Sequence, residues 1–540
     1  MNELTSIMSK FKKKFLIFLA ILIVFLSGLL TERFQIDNKF QNYLENSYDK
    51  LSRFIYGFFS QKEIYISLEP KEFQKIVNIR EKALERSKLT KDLEKWSDGN
   101  MIFEKQLSDI QIRLKGVFPD HWSDSSQWSF KVKIDNNSVP INGIKRFALQ
   151  PPKTTSYIYE WLFMKALEKE KLFSLGAELI NLKINENNLG AYMLIGQISD
   201  STILKNKKEI SPIIGFDSEL WIKEQIQSNI LNAKGVIKKE NGTEDAYYRV
   251  KINPIQFKKN DENLEDLKQA INILESFRQG RLKTSEAFNI DHLAKIMAIR
   301  ALLGSYQFDW LDTKFYYNKE TNLLEPISKE IHVDLDHNYK VHYPSWWIDS
   351  YVNRPDYEKK RNFFIHDIFK DEVFYEKYLK QLNEYTEKNF IKKIIDENKK
   401  EFNKYLKMLK MNYPTKKVFS EEHLEITRLR IQNYLNPVQN INAYFQEFKN
   451  GILSVNISNL QRLPVKIIGL QFKDGTLMKA EKNTTLFGRK PFLPVKHRDI
   501  KFNCKTNNSC KRSKIENQKI IFRILGQESI NFSPISPYYK

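Results

Sequence analysis

Between residues 63 and 200, short segments of alternating hydrophobicity flank two amphipathic segments of helical spacing. Apolar residues at every second position predict strands, whereas apolar residues three or four apart predict helices. The predicted strands lie at 63–68, 101–115, 128–135, 139–149, 178–184 and 189–198, and the predicted helices lie at 70–97 and 154–172. The strand at 139–149 is entered through a turn at Asn142-Gly143. Residues 210–222 are predicted to be extended, and residues 225–245 to form a polar insertion.

The second half of the chain has mainly helical spacing as far as about residue 440. Helices are predicted at 260–282 and 289–304, and a charged helical segment at 364–437. Between them the pattern predicts a hairpin with strands near 312–318 and 323–335. From about residue 440 short strands alternate with turns, which predicts a small β-sandwich. The whole pattern is typical of a mixed α/β (α+β) protein with more than one domain.

The N-terminus carries a basic cluster followed by the apolar run Phe15 to Leu30. This run is slightly shorter than a typical membrane-spanning helix, and no Ala-x-Ala cleavage site follows it. We interpret it as a single-pass signal anchor that leaves the bulk of the chain outside the cytoplasm, in the periplasm or at the cell surface. A cleaved signal peptide is the alternative. The predicted boundaries are 1–14 for a cytoplasmic tail, 15–32 for the transmembrane anchor, 33–62 for a juxtamembrane linker, 63–363 for the mixed domain, 364–437 for a helical extension and 438–540 for the sandwich-like domain.

The formal net charge of +21 favours anionic partners. The excess is mostly lysine spread along the chain, and no Arg-rich stripe, RNA-stacking motif or zinc-finger spacing accompanies it. We therefore do not expect a nucleic-acid partner.

The two cysteines, Cys504 and Cys510, flank a run of turn-forming residues. They are expected to form a disulfide in an oxidising compartment, with two unpaired thiols as the alternative.

The stretch 304–339 places four carboxylates among aromatic and β-branched residues. They are Asp309, Asp312, Asp334 and Asp336. An ionised carboxylate in such a setting is costly unless it is paired or bound to a metal. The stretch is therefore the strongest candidate for a functional site. The simpler interpretation is that these carboxylates are paired with Lys314, Lys329 or Arg300.

A series of short phrases follows a fixed order from residue 112 to residue 327. They are Ile112-Arg-Leu-Lys-Gly116, Asp120-His121, Trp128-Ser-Phe-Lys-Val-Lys133, Gly143-Ile-Lys-Arg-Phe-Ala-Leu-Gln150-Pro-Pro-Lys-Thr154, Tyr159-Glu-Trp161, Gly190-Ala-Tyr-Met-Leu194, Pro212-Ile-Ile-Gly-Phe-Asp217, Phe315-Tyr-Tyr-Asn318 and Leu324-Glu-Pro-Ile327. In this order and spacing they resemble the CotH kinase family, the spore-coat-protein-H-like proteins with a degenerate protein-kinase-like fold. The resemblance covers about residues 63–340 and excludes the C-terminal β-domain. It implies a kinase-like mixed domain that uses ATP and Mg²⁺ to phosphorylate protein hydroxyls.

Phosphoryl transfer needs carboxylates that hold Mg²⁺ and an acceptor for the proton of the attacking hydroxyl. By the resemblance, Asp334 and Asp336 match the metal-holding aspartate at the end of a strand. Asp312 stands closest to an Asn of the family and is the further candidate metal ligand. Asp309, three residues upstream, is the candidate catalytic base by position and chemistry.

The nucleotide-binding side is less well marked. Lys131 and Lys133 share one face of a predicted strand, and either could reach a phosphate; a solvated strand face is the alternative. The family's Gly-x-Tyr-x-Leu phrase normally continues to a Glu, which by analogy with kinases would orient the nucleotide-binding lysine. Here Gly196 stands in that place, and Gln197 beside it could substitute only by hydrogen bonding.

Two functions follow as hypotheses. The first is an envelope-anchored, ATP- and Mg-dependent kinase acting on Ser or Thr of envelope or secreted proteins. The second is a catalytically inactive relative that binds or assembles protein or polysaccharide of the cell envelope, capsule or exopolysaccharide. Two weaker alternatives are a nucleotide- or polymer-binding transferase on the same fold and a transition-metal site with His332, His337 and His342. The sequence predicts no oligomeric state.

Overall fold

A computed structural model describes residues 62–233, 246–257, 261–305, 308–333, 335, 363–490, 493–504, 510 and 512–537 of the 540-residue chain. The predicted cytoplasmic tail, anchor and nearly all of the linker lie outside the described residues. Within the described part, no helix is long and apolar enough to cross a membrane. The chain divides into two compact units. The first comprises residues up to Trp161 with Gly176–Gln197 and Asn398–Phe419, and the second comprises Leu162–Leu175, Ile198–Glu397 and Ser420 onwards.

The described segments contain helices and strands in both units, so the chain has the mixed α+β character that the sequence predicts. The helices are α1 (Pro70–Arg86), α2 (Ile158–Lys169), α3 (Asp200–Lys205), α4 (Glu219–Ala233), α5 (Ala246–Arg249), α6 (Asp261–Arg278), α7 (Thr284–Ala287), α8 (Ile290–Leu302), α9 (Phe363–Ile368), α10 (Glu372–Glu387), α11 (Phe390–Glu397), α12 (Lys399–Asn412) and α13 (Glu421–Leu435). The strands are β1 (Glu63–Ser67), β2 (Ser97–Phe103), β3 (Gln106–Leu114), β4 (Phe130–Ile134), β5 (Arg146–Gln150), β6 (Ala177–Ile184), β7 (Asn187–Gly196), β8 (Ile213–Phe216), β9 (Ile252–Gln256), β10 (Lys314–Asn318), β11 (Leu323–Ile327), β12 (Ile441–Lys449), β13 (Ile452–Asn459), β14 (Val465–Gln471), β15 (Leu477–Leu486), β16 (His497–Asn503), β17 (Lys519–Ile524) and β18 (Asn531–Pro534).

The first unit is built on a closed barrel of seven strands in the order β1-β2-β3-β4-β5-β7-β6. Neighbouring strands pair antiparallel, except that β1 and β6 pair in parallel and close the barrel. The apolar residues of the strands, among them Ile112, Val132 and Tyr192, belong to one buried cluster. Because successive side chains of a strand point to opposite sides, the residues between them, such as Lys131, lie on the outside of the barrel.

The predicted helix 70–97 is wrong beyond residue 86. Helix α1 ends at Ser87, whose left-handed backbone (φ 54°, ψ 18°) is a common way to terminate a helix. Residue 97 already belongs to β2, which the sequence prediction missed because Asp98-Gly99-Asn100 interrupts the apolar alternation. The predicted strand 101–115 is therefore a hairpin, which turns at Glu104 and Lys105 with positive φ at both residues.

Helix α12 is distant in sequence from the barrel but belongs to the same unit. Its Phe402 and Tyr405 rings lie 6.1 Å and 5.8 Å from the ring of Trp161. Near its end, the side-chain oxygen of Asn412 accepts a hydrogen bond of 2.9 Å from the backbone N–H of Ala191 in β7. These contacts join segments more than 200 residues apart, which no local periodicity could have predicted.

The second unit contains a four-stranded antiparallel sheet in the order β11-β10-β8-β9. Helix α8 is almost entirely buried and packs against α10 and α13. The predicted extended segment 210–222 contains only the four-residue strand β8, and α4 begins at Glu219. The predicted hairpin is present as β10 and β11, but its second strand ends at Ile327 instead of 335. Beyond it, a single bridge joins Val333 to Ser305.

The C-terminal strands form two antiparallel sheets, one ordered β12-β13-β16 and the other β15-β14-β17-β18. Their apolar side chains, such as Val455, Ile467 and Phe522, are buried. A disulfide joins Cys504 to Cys510, in agreement with the predicted pairing. The described strands of this region therefore follow the predicted alternation of short strands and turns.

Candidate functional site

Asp309 organises the turn that leads into β10. Its carboxylate accepts hydrogen bonds from the backbone N–H groups of Leu311 (2.9 Å) and Asp312 (3.1 Å). Its own carbonyl accepts from the hydroxyl (2.8 Å) and the backbone N–H (3.2 Å) of Thr313. Short polar side chains that bond the backbone two or three residues ahead are typical of tight turns. The turn holds Asp309 and Asp312 beside one another, as their spacing in sequence suggested.

The environment of Asp309 changes its proton affinity. Burial and, after it, the neighbouring charge of Asp312 raise the pKa of Asp309 to about 7, against the two backbone hydrogen bonds, which lower it. A carboxyl group with a pKa near neutrality can exist both as a carboxylate and as an acid at physiological pH. It is therefore suited to accept a proton during a reaction and to release it afterwards.

Lys314 lies against these carboxylates at the start of β10. Its side chain passes over Gly215 of β8, where an added Cβ would lie only 2.5 Å from the Lys314 Cδ. Its ammonium group donates to the carbonyl of Leu311 at 2.6 Å. Burial, and then the charge of Lys329, lower the pKa of Lys314 to about 8. The charges of Asp312, Asp309 and Asp217 oppose that decrease.

Asp217 is a member of this cluster that sequence reasoning missed. It follows β8 directly and therefore lies near the start of the antiparallel strand β10. Its carboxylate accepts from the side chain of Asn253 at 2.7 Å and from the backbone N–H of Glu219 at 2.9 Å. Asp217 closes the phrase Pro212-Ile-Ile-Gly-Phe-Asp217, so a signal was present. Only the pairing of β8 with β10, however, shows that it shares a site with Lys314.

Arg300 in α8 anchors the segment after β11. Its guanidinium is almost fully buried and donates to Ser328 Oγ (2.9 Å) and to the carbonyls of Lys329 (2.7 Å) and Glu330 (3.0 Å). The same group lies over the ring of Phe163 at 4.8 Å. Within the described residues, Arg300 thus binds serine hydroxyl groups and backbone carbonyls. Lys329 lies 4.0 Å from Asp312.

The other predicted metal ligands cannot be placed. Asp334 and Asp336, together with His337 and His342, lie outside the described residues, and His332 is half-buried. Within the described segments, no cluster of three or more His, Cys, Asp or Glu side chains could hold a metal ion. The described part of the site therefore offers one adjacent pair of carboxylates, those of Asp309 and Asp312.

The predicted phosphate ligands lie in the first unit, on β4. Lys131 is opposite Arg113 of β3, whose nearly buried guanidinium pairs with Glu94 at 2.9 Å. Lys133 is half-buried and lines a cavity of about 760 Å³, which it shares with five carboxylates. They are Glu69, Glu72, Asp98, Asp109 and Asp135. Because these carboxylates repel an anion, the surroundings of Lys131 suit a phosphate better than those of Lys133.

Gln197 follows β7, where Gly196 pairs with Phe147 of β5. Its backbone N–H donates to the carbonyl of Arg146 at 2.9 Å, and its side-chain amide lies 3.4 Å from the carbonyl of Gly196. In the same unit, Glu160 in the first turn of α2 is completely buried, which sequence reasoning did not anticipate. A carboxylate with no exposure must be paired or protonated, so Glu160 is a further candidate for orienting a buried cation.

Glu325 shows what the phrase Leu324-Glu-Pro-Ile327 does in the fold. This nearly buried carboxylate accepts from the side chain of Asn318 at 2.7 Å and pairs with Lys208 at 2.5 Å and with His292 at 3.6 Å. Asn318 belongs to the phrase Phe315-Tyr-Tyr-Asn318, so the two phrases are bonded to each other across the hairpin. These contacts stabilise the β10–β11 hairpin.

Comparison with known proteins supports the resemblance. A search of curated proteins found no match. The family model described as CotH kinase protein matches residues 112–447, which is more than half of the chain. The match runs from the end of β3 through β4 to β7 and the Asp309 turn to the helices as far as α13. It extends beyond the limit of about residue 340 that the short phrases indicated. The chain therefore belongs to the CotH kinase protein family.

Proposed function

We propose that this protein is an envelope-anchored kinase that transfers the γ-phosphoryl group of ATP to Ser or Thr of envelope or secreted proteins. The observation that carries the proposal is the Asp309 turn, which holds one carboxylate by two backbone hydrogen bonds and gives it a pKa of about 7. In the proposed reaction Asp309 accepts the proton of the attacking hydroxyl group.

The carboxylates beside the base fit a divalent cation. Asp309 and Asp312 are adjacent, and their mutual repulsion contributes to the raised pKa of Asp309, which a cation would relieve. Mg²⁺ prefers carboxylate oxygens, so Asp312 together with Asp334 or Asp336 would hold it. Such an ion would neutralise charge on the phosphates of the nucleotide. Lys131 is the cation that the family resemblance offers for a phosphate group.

The test is a phosphotransfer assay with the full-length chain and radiolabelled ATP, with the chain itself and dephosphorylated casein as acceptors. We expect Mg²⁺-dependent transfer, reduced about 100-fold or more by Asp309→Asn because the proton acceptor is lost. Asp266→Asn is the matched control, since Asp266 pairs with Lys319 in the same unit and has no proposed role in the chemistry. If ATP neither stabilises the protein against heat nor is consumed, with or without Mg²⁺, the kinase proposal is wrong.

A second candidate function is an inactive relative that binds without transferring. Two observations favour it. Gly196 and Gln197 stand where the family's acidic residue is expected. The side-chain amide of Gln197 lies 3.4 Å from the carbonyl of Gly196. In this case ATP would raise the melting temperature but no acceptor would become labelled. Transfer that is insensitive to Asp309→Asn would instead show that the base is misassigned.

A further inference from the structure

The sheet β12-β13-β16 has one apolar face and one face that is polar apart from Ile452 at the start of the central strand. On the central strand, Leu453, Val455 and Ile457 are fully buried on the apolar side. The strand register places the polar residues in three cross-strand rows on the other side. The rows are Asn442-Ser458-His497, Tyr444-Asn456-Asp499 and Glu447-Ser454-Lys501. We refer to these nine residues as the polar face.

The central strand of the polar face contains buried hydrogen-bonding atoms without partners. Ser458 is completely buried and Asn456 is 9% exposed. Among the described residues, neither Ser458 Oγ nor Asn456 Oδ1 has a hydrogen-bond partner. The amide of Asn456 is oriented by its NH₂ group, which donates to Asp499 at 2.6 Å, so its carbonyl oxygen is left as the acceptor. Buried polar atoms are usually hydrogen-bonded, so these two atoms are available to bond a ligand or ordered water.

The longer side chains on either side of the central strand complete the surface. The ring of Tyr444 lies 6.0 Å from the ring of His497, and both residues are half-buried. Asp499 and Lys501 are exposed. A ligand would reach Asn456 and Ser458 after a rotamer change of these flanking side chains, which are not enclosed by a core.

This combination of groups matches a saccharide better than other partners. Sugar hydroxyl groups both donate and accept, so they suit an amide carbonyl, a serine hydroxyl and a carboxylate together. An aromatic ring such as that of Tyr444 offers an apolar surface to the C–H face of a sugar ring. A protein interface would be expected to have an apolar centre, and the polar face has none. A nucleic-acid surface would be expected to offer several cations for successive phosphates, whereas among its nine residues the polar face has one lysine, Lys501.

The charge of the region indicates which saccharides are favoured. Residues 438–540 contain eighteen Lys and Arg against six Asp and Glu, so this fifth of the chain carries twelve of its twenty-one excess positive charges. The earlier expectation that the excess is spread evenly is therefore wrong. A strongly basic region attracts anionic polymers and raises their local concentration. Lys501 brings one of these charges onto the polar face.

We propose that the polar face of β12-β13-β16 is a binding site for an acidic polysaccharide, with Asn456, Ser458 and Asp499 binding sugar hydroxyls and Lys501 binding the acidic group. The proposal concerns a site in the C-terminal strands and does not depend on phosphotransfer. It is independent of the Asp309 turn.

The experiment measures retardation of the full-length chain in native gels containing alginate, polygalacturonate or hyaluronate. Poly-L-glutamate provides anionic charge without sugar hydroxyls, dextran provides sugar without charge, and anionic phospholipid vesicles test a lipid surface by flotation. The variants are Asn456→Ala and Asp499→Asn. Because Asp499→Asn changes an exposed side chain, it keeps the test valid if Asn456→Ala does not fold. The matched control is Lys479→Ala with Lys482→Ala, two exposed lysines of β15 in the other sheet.

We expect at least one uronate polymer to bind more tightly than poly-L-glutamate and dextran. Asn456→Ala and Asp499→Asn should each weaken that binding about tenfold, because each removes one hydrogen-bonding group for the sugar hydroxyls, while the lysine control changes it less. Equal binding to alginate and poly-L-glutamate, or an equal effect of the lysine control, would show attraction by net charge alone and overturn the site. Binding to vesicles without binding to any polysaccharide, or no binding at all, would overturn it as well.

Discussion

Replacement of Glu325 by Gln tests the link between the two family phrases that meet in the β10–β11 hairpin. Burial by itself would raise the pKa of Glu325, but hydrogen bonds from His292, Asn318 and Lys208 outweigh it and hold the pKa at about 2, against an ordinary value of 4.5. That difference corresponds to about 3 kcal/mol of preference for the carboxylate, at about 1.4 kcal/mol per pKa unit. Because the ammonium group of Lys208 is partly in contact with solvent, screening reduces the expected loss to about 2 kcal/mol.

The stabilisation by Glu325 has a defined pH window. The unfolded chain binds a proton near pH 4.5 and the folded chain only near pH 2, so the stabilisation is complete above pH 4.5 and is lost as the pH falls towards 2. Urea unfolding of the full-length chain and of Glu325→Gln, followed by circular dichroism between pH 7 and pH 3, measures this difference in the free energy of unfolding. Glu320→Gln, an exposed carboxylate at the tip of the same hairpin, is the control and should change little. A difference between the wild type and Glu325→Gln that is as large at pH 3 as at pH 7 would contradict the argument.

Three further substitutions test contacts elsewhere in the second unit. Gly304→Ala should destabilise the protein by about 2 kcal/mol or more, because φ of Gly304 is +75° and the new Cβ would lie 2.3 Å from His423 Nε2. The control Gly280→Ala has a similar φ of +71° but open space around it, so it should cost only about 1 kcal/mol. Equal melting temperatures of the two variants would contradict the steric argument. Arg300→Met should lower the free energy of unfolding by about 2 to 4 kcal/mol, because the hydrogen bonds to two backbone carbonyls are lost. Arg300→Lys should restore little of this stability, since lysine lacks the planar guanidinium, and full recovery would show that charge alone matters. Replacement of Cys504 and Cys510 by Ser should lower the free energy of unfolding by about 2 kcal/mol, a small effect because the closed loop is short. Thermal unfolding measures it, with reduction of the wild type as a parallel treatment. An unchanged unfolding midpoint would mean that the cross-link does not restrain the unfolded chain.

Much of the local structure was predictable because it depends on residues close in sequence. The alternating positions around Phe130, Val132 and Ile134 form a strand as predicted, and Asn142-Gly143 forms a turn with positive φ at both residues. The turn at Asp309 was predictable as a place where carboxylates cluster, since Asp309 and Asp312 are three residues apart. The order of the family phrases likewise lies in the sequence and was enough to indicate the family.

Several predictions failed where the decisive contact is distant. The end of α1 and the start of β2 were missed because the polar residues Asp98 to Asn100 join a barrel strand through backbone pairing, which does not depend on side-chain polarity. The basic excess was expected to be spread along the chain, whereas twelve of its twenty-one charges lie beyond residue 437. The roles of Asp334 and Asp336 as metal ligands and of Asp309 as base stay predictions.

The sequence alone determined the alternation of strands and helices, the family and the pair of aspartates beside β10, because these follow from spacing over a few residues or from the order of short phrases. Only the tertiary structure decided that Asp217 lies with Lys314, that Glu160 is buried, and that α12 belongs with the barrel. It also decided that Ser458 and Asn456 lie buried on a polar sheet face. The physical reason is that periodicity reports which side of an element is apolar, whereas pairing between strands and packing between distant segments decide which side chains meet.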